Sequence, residues 1–406
     1  MSPPLSPAEK PEEVGLSSQR IGRLIDALRR DVDKGAAPGA VVLIARHGKI
    51  ACHEAIGFRD REAGTAMTTD TLFRIYSMTK PVTSVATMML AEEGRLLIAD
   101  PVADYLPEFA GLKVAVDSDS ATAGSLATEP LRRPMTVQDL LRHTSGLTYA
   151  ALTGPLLKAA YEAANIGDDQ TNAEMATKLA QVPLAYQPGS TWQYGFSTDV
   201  LGRVVEVASG MPLDAFIDER IVKPLGLAQT SFGPVDAARL AEPQVNAKLG
   251  KRPPLRDATK RHKWVSGGSG LLSTASDYVR FCQMLLNGGE LDGVRLLAPS
   301  TVALMTSDHL NPDIRFGPMT RNQFGALAPI PENGIGFGLG FAVRIQAGRN
   351  ALPGSVGDYS WSAVSGAYFW IDPRLDLIAI LMMQAPLERL HYRYLMRSLV
   401  YQAVVA

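Results

Sequence analysis

Strand-forming segments crowd the two ends of this chain and leave its middle to helices. Near the N-terminus, PGAVVLIARHGKIACHEAIGFRD (38–60) carries two β-branched runs about His47-Gly48, the pattern of a hairpin. Near the C-terminus, GIGFGLGFAVRI (334–345), WSAVSGAYFWIDP (361–373) and LDLIAILMMQ (375–384) read as consecutive antiparallel strands. Helical patterns fill 77–93, 136–147, 155–181 and 198–227. Two further helices bracket the chain: 17–34, with Ile21, Leu24, Ile25 and Leu28 at helical spacing behind a Ser17 or Ser18 cap, and 387–403.

The simplest assembly is an α/β chain of the α+β type. One antiparallel sheet is built from both termini and flanked by the terminal helices, with a mainly helical lobe inserted after the first hairpin. The expected division is a single domain over 16–406, with an α/β lobe at about 16–75 and 267–406 and a helical lobe at about 76–266. A site in such a protein lies between the lobes. Details follow the same logic. Thr136 opens a short helix that closes near Gly146, and 266–289 holds a glycine turn, a short strand and a capped helix. Leu97 to Phe109 reads as a loop, and 111–134, rich in Ala, Ser, Asp and Gly, as a long loop or insertion.

Composition removes several function classes. The formal charge is −1, so no basic field invites nucleic acid or an anionic membrane. Cys52 and Cys282 are the only cysteines, too few for a disulfide framework and not spaced as a CxxC pair. No run of about 18 apolar residues is present, so no membrane span is expected. The start, MSPPLSPAEKPEEVGLSS, is proline-rich and acidic without an apolar segment. It is not a signal peptide, and the expectation is a cytoplasmic protein with a disordered leader over residues 1–15. Nothing has metal-ligand spacing, so neither a metal nor another cofactor is expected. Oligomeric state is left open.

The stretch RIYSMTKPV (74–82) carries the chemistry. Ser77 precedes Lys80 by three places, so on a helix both point the same way. A serine hydroxyl needs a base to act as a nucleophile, and a lysine serves if its surroundings lower its pKa. Ser77 at a helix N-terminus also meets free N–H groups that favour developing negative charge. The spacing alone equally suits a solvated helix face. Yet of the twelve lysines only Lys80 follows a serine at this distance, and its flanks are largely apolar or hydroxylated. The rival signature, G-x-S-x-G, is absent: Ser17, Ser197 and Ser269 each have the first glycine without the second.

SMTK (77–80), LLRHTSGL (140–147), QPGSTWQYGFSTDVLG (187–202), GGSGLLSTASDYVRF (267–281) and GIGFGLGF (334–341) together resemble the serine β-lactamase-like superfamily. The chain is most similar to the family VIII carboxylesterases, which share the class C β-lactamase and DD-peptidase-like fold. The resemblance runs from about residue 15 to the C-terminus, with the segments in the family's order. It implies Ser77 as nucleophile, with Lys80 and Tyr194 as its base. The tyrosine motif, Tyr-x-Asn or Tyr-x-Ser in many relatives, is Tyr194-Gly195-Phe196 here. Phe196 cannot hydrogen-bond to a substrate amide, which argues against β-lactam binding. Trp361-Ser362-Ala363 stands where the esterases carry Trp-x-Gly, so Ala363 replaces a glycine.

The resemblance further implies an oxyanion hole from the N–H groups of Ser77 and Val364, a small-molecule ester as substrate, and an acyl-enzyme. Trp361, Ser362, Ala363, Phe196 and Tyr149 are the expected substrate-binding residues. β-Lactamase, D-Ala peptidase and acyltransferase activities are the alternatives on this fold. His143 reads as structural, and Asp199 as a helix cap.

Overall fold

Alternation along the strands shows why the sheet sits in the middle of the molecule. In Gly39–Arg46, Val41, Leu43 and Ala45 join one hydrophobic cluster, while Ala40, Val42 and Ile44 join another. Both faces of the strand are therefore buried, which explains a continuous apolar run where a one-sided strand would alternate. The structure, a computed structural model, describes residues 5–116, 126–247 and 249–406.

Among the described residues the sheet has nine strands: β1 (Ser6–Pro7), β2 (Gly39–Arg46), β3 (Lys49–Asp60), β4 (Thr65–Ala66), β5 (Ile335–Phe337), β6 (Ala342–Arg344), β7 (Tyr359–Ser362), β8 (Gly366–Asp372) and β9 (Leu377–Gln384). Their spatial order is β1-β3-β2-β9-β8-β7-β6-β5, with β4 paired to β3. The two ends of the chain meet at β2 and β9, antiparallel from Ala40↔Met383 to Arg46↔Leu377. Every pairing is antiparallel except the short β1–β3 contact, which is parallel.

The helices are α1 (Ser18–Asp33), α2 (Thr79–Glu92), α3 (Val137–Leu141), α4 (Pro155–Ala163), α5 (Asn172–Leu179), α6 (Ser197–Ser209), α7 (Leu213–Ile217), α8 (Ala275–Leu286), α9 (Pro299–Met305), α10 (Thr320–Phe324) and α11 (Arg389–Tyr401). The Ser17 hydroxyl caps α1 by accepting from the Arg20 N–H, and Ile21, Leu24, Ile25, Leu28 and Val32 give it one apolar stripe. That stripe packs with α11 on one sheet face. On the other face lies α8, whose Tyr278 bonds the Met78 carbonyl at the start of α2, and the α2 residues from Thr79 to Leu90 are all buried.

Several expectations need correction. The leader expected to be disordered over residues 1–15 is structured from residue 5. Its β1 pairs with β3, Pro11–Val14 forms a 3-10 turn with Val14 buried, and Arg46 Nη1 donates to the Val14 carbonyl at 2.9 Å. Residues 1–4 lie outside the described residues. The 334–345 strand is two strands, β5 and β6. Gly340 turns the chain between them at φ +104°, where a Cβ would lie 2.4 Å from Ser84 Oγ. The 361–373 segment is likewise the end of β7 and all of β8, turned by the Ala363 N–H on the Ala367 carbonyl.

The helix at Thr136 stops at Leu141, five residues before Gly146, and His143 takes a positive φ. Within 97–109 lie the 3-10 turn Val102–Asp104 and most of a second, Pro107–Gly111. Of the 111–134 loop, Lys113–Ala115 pairs with Thr128–Pro130, and 117–125 lies outside the described residues.

Candidate active site

Ser77 sits in a one-turn 3-10 helix, Tyr76–Met78, that runs into α2. Tyr76 holds a positive φ of 40°, a conformation that costs a bulky residue energy and needs outside support. Its hydroxyl supplies some by accepting from the Arg256 N–H at 3.0 Å. The start of α2 is tied down by three further bonds. Tyr278 Oη donates to the Met78 carbonyl, the Leu271 N–H to Thr79 Oγ1, and Thr83 Oγ1 to the Gly267 carbonyl.

Lys80 is 1% exposed. A buried ammonium must find acceptors, and its Nζ reaches the Gly268 carbonyl at 2.8 Å, Ser77 Oγ at 3.4 Å and Tyr149 Oη at 3.4 Å. It also lies 4.7 Å from the Tyr194 ring centroid. Tyr194 Oη donates to Ser77 Oγ at 2.7 Å. The three residues named from the sequence, 117 positions apart at the extremes, thus meet at one hydroxyl. Tyr194 is carried there by Gln193, whose N–H donates to the His143 carbonyl and whose Nε2 donates to Thr148 Oγ1 at 2.7 Å.

The other expected residues divide. Tyr149, Ser362, Ala363 and Val364 line the same cavity of about 250 Å³ as Ser77. Trp361 and Phe196 are not among the residues that line it, but they pack against Tyr194 and Tyr149, which do. Trp361 is 3% exposed and packs on Tyr194, Phe324 and Phe337 at 5.3–5.5 Å. Phe196 stacks edge-on against Tyr149 at 4.6 Å, with Tyr161 parallel behind it. Both act on the rings that touch the cavity.

His143 is buried with its ring 4.8 Å from that of Tyr194. Burial, reinforced by the Lys80 charge, pushes its pKa well below the usual histidine range, so it stays neutral. Asp199 is not a cap, because no side-chain cap bond forms at the start of α6. Its carboxyl accepts from Ser266 Oγ and from the Gly268 N–H, and so anchors the residue whose carbonyl holds Lys80. A Cβ on Gly268 would stand 2.5 Å from Asp199 Oδ2, so only glycine permits the approach. Burial raises the Asp199 pKa, against the Lys80 charge that lowers it. Burial and the Asp199 charge push the Tyr149 phenol well up, so Tyr149 keeps its proton.

Sequence reading missed several lining residues, among them Tyr76, Trp264, Phe324, Arg389 and Arg393. One signal was available. Arg389, Arg393 and Arg397 recur every fourth residue on α11, and Arg393 and Arg397 share its buried side with Tyr392 and Met396. Charge on a helix's inward stripe is unusual and marks either pairing or a ligand.

A mixed sheet-and-helix fold with Ser77, Lys80 and Tyr194 gathered at one cavity defines a serine hydrolase of the β-lactamase and penicillin-binding-protein fold. The family model described as Beta-lactamase matches residues 24–398, and the chain belongs to that family. It is 38% identical to Protein Rv1367c of Mycobacterium tuberculosis over 370 residues, 88% of each chain. It is 34% identical to Esterase EstB of Burkholderia gladioli over 375 residues, 86% of each chain. Among solved structures it is similar to EstCE1, described as a hydrolase with promiscuous acyltransferase activity. The TM-score is 0.78 at 28% identity, over 94% of this chain and 99% of that one. Among the described residues no helix is long and apolar enough to cross a membrane.

Proposed function

We propose that the protein is a serine carboxylesterase that hydrolyses short-chain acyl esters through an acyl-enzyme on Ser77. The observation that carries this reading is Tyr194 Oη at 2.7 Å and Lys80 Nζ at 3.4 Å from the same Ser77 oxygen. Lys80 and Tyr194 work as a pair: Tyr194 reacts as the phenolate beside the Lys80 ammonium, and its Oη takes the Ser77 proton as Oγ attacks the ester carbonyl. The oxyanion falls to the N–H groups of Ser77 and Val364, each worth about 3 kcal/mol in the transition state. The carbon–oxygen bond to the alcohol then breaks, and the alcohol leaves with the proton. Water, giving its proton to the same pair, attacks the acyl carbonyl, and Ser77 recovers its hydrogen.

The cavity of about 250 Å³ favours a small acyl group. The 34% identical esterase supports the ester class. Hydrolysis of β-lactams or D-Ala peptides ranks lower, since Phe196 offers no hydrogen bond where many relatives place Asn or Ser. Acyl transfer to an alcohol is a second reading, favoured by the activity described for EstCE1. Product analysis with an added alcohol separates it from hydrolysis.

The test is a panel of p-nitrophenyl esters of rising chain length on wild type and Ser77→Ala. Acetate and butyrate should be turned over best, and Ser77→Ala should lose about 10⁴-fold or more in kcat. Turnover by Ser77→Ala close to wild type would remove Ser77 from its role.

A further inference from the structure

The Ala363 carbonyl, in the turn that follows β7, accepts two hydrogen bonds. One comes from the Gly366 N–H at 3.1 Å and is the ordinary closing bond of a four-residue turn. The other comes from the guanidinium of Arg393 on α11. The turn does not need this second bond to hold its shape. The Ala363 N–H donates to the Ala367 carbonyl at 2.8 Å, the Ala385 N–H to the Ser365 carbonyl at 2.7 Å, and Ser365 Oγ to the Arg74 carbonyl at 3.1 Å.

Arg393 is 2% exposed and pairs with no carboxylate among the described residues. Its buried Nε has no hydrogen-bond partner. Burial, with the Arg389 charge beside it, pushes Arg393 down to about 9, which leaves it charged at neutral pH. One turn further on, Arg397 shows how α11 treats a buried arginine that is structural. It shares Asp358 with Arg344 and donates to Tyr368 Oη at 2.7 Å. An unpaired buried cation is costly, so one set against a carbonyl that the turn already satisfies calls for a reason.

The peptide that bears this carbonyl supplies one. The Ala363 C=O and the Val364 N–H belong to a single trans peptide plane, so they point in opposite directions. Val364 lines the cavity that holds Ser77, and among the described residues no backbone carbonyl accepts from its N–H. A cation on the carbonyl oxygen draws electron density along the plane and leaves the N–H more positive, as bonds in a hydrogen-bonded chain polarise one another.

We propose that Arg393 is a positioning residue for the oxyanion hole: through the Ala363 carbonyl it orients and polarises the Val364 N–H, which then holds the oxyanion more tightly than the ester. The inference rests on the esterase reading above and adds to it a residue that acts through the backbone. The buried charge is unfavourable in the resting enzyme and is offset when negative charge develops on the substrate oxygen. The interaction therefore strengthens in the transition state and lowers the barrier.

Sulfur in place of the carbonyl oxygen tests the proposal, because sulfur is a weak acceptor. Wild type should hydrolyse 4-nitrophenyl butyrate faster than 4-nitrophenyl thionobutyrate. Arg393→Met should lower the ester-to-thionoester ratio of kcat/KM about tenfold, the scale of one charge-assisted hydrogen bond, and should act on kcat for the ester with KM little changed. Arg393→Lys keeps the charge and should restore most of the ratio. The ratio is blind to the fraction of a variant that has folded, and a merely structural role would lower both substrates alike. An unchanged ratio in Arg393→Met would overturn the inference, while ester turnover would leave the esterase reading standing.

A second measurement needs no turnover. Ser77 Oγ adds to the carbonyl carbon of butyl trifluoromethyl ketone, the serine proton passes to Tyr194, and the carbonyl oxygen becomes an oxyanion. Butyl methyl ketone is too weak an electrophile to form this adduct. In calorimetry, Arg393→Met should bind the fluorinated ketone about tenfold more weakly than wild type and the methyl ketone equally well. Equal loss for both ketones, or loss for neither, would contradict the role of Arg393. Wild type binding both ketones alike would remove Ser77 as the nucleophile, and the oxyanion role with it.

Discussion

At Ser77 the hydroxyl has two possible proton carriers, and the geometry separates their roles. Tyr194 Oη is the close contact at 2.7 Å, while Lys80 Nζ, at 3.4 Å from the hydroxyl and 4.7 Å from the Tyr194 ring, supplies charge to both. Tyr194→Phe removes only the proton carrier and leaves the ring against Trp361, Phe324 and His143. It should lower kcat about 10²- to 10⁴-fold, the span of a general base, with the near-UV circular dichroism unchanged. A kcat within a few-fold of wild type would assign the proton to Lys80 alone. Ser77, Lys80 and Tyr194 were legible because each lies in a short contiguous motif. Asp199 was not, because its meaning depends on a partner far off in sequence, Gly268. The packing of Trp361 on Tyr194 and of Phe196 on Tyr149 was not legible either, since a motif says which strand borders a site but not which face of it a ring takes.

Elements carry those residues into place, and α3 shows what fixes one of them. Asp139, with a side chain wholly buried, accepts from Arg133, Arg142, the Thr136 N–H and Thr144 Oγ1 while Thr136 caps the same helix. Burial pushes its pKa up, but the Arg133 hydrogen bond and its companions outweigh burial and hold the carboxyl below its usual value. A depressed carboxyl contributes stability that is complete above the unfolded pKa, about 3.9, and lost as pH falls through the folded value. Asp139→Asn should therefore cost about 3 kcal/mol at pH 7, because two arginines lose their counter-charge. The gap to wild type should shrink below about pH 4 in urea-unfolding midpoints. A gap that does not change between pH 7 and pH 3 would contradict the assignment.

The periodicity of α1 and the His47-Gly48 hairpin were plain in the sequence, since each is a local pattern. The split of 334–345 into β5 and β6 was not, because the turn at Gly340 answers to Ser84 on α2, more than 250 residues earlier in the chain.

Across the whole molecule, the sheet closes where β2 meets β9, so the first and last quarters of the chain set the frame on which the central helices hang. That closure was predictable from strands at both ends. The site was only partly so, because eight separate stretches converge on it, from Tyr76-Ser77 through Tyr149, Tyr194 and Trp264 to the turn after β7 and α11. Such convergence matters only if it makes one oxygen reactive. Treating the protein with a p-nitrophenyl phosphonate and mapping the adduct by peptide mass spectrometry tests that directly. The account predicts a single stoichiometric adduct on Ser77, loss of ester turnover in step with labelling, and no adduct in Ser77→Ala. An adduct on another residue that tracks the loss of activity, or full activity with Ser77 modified, would contradict it.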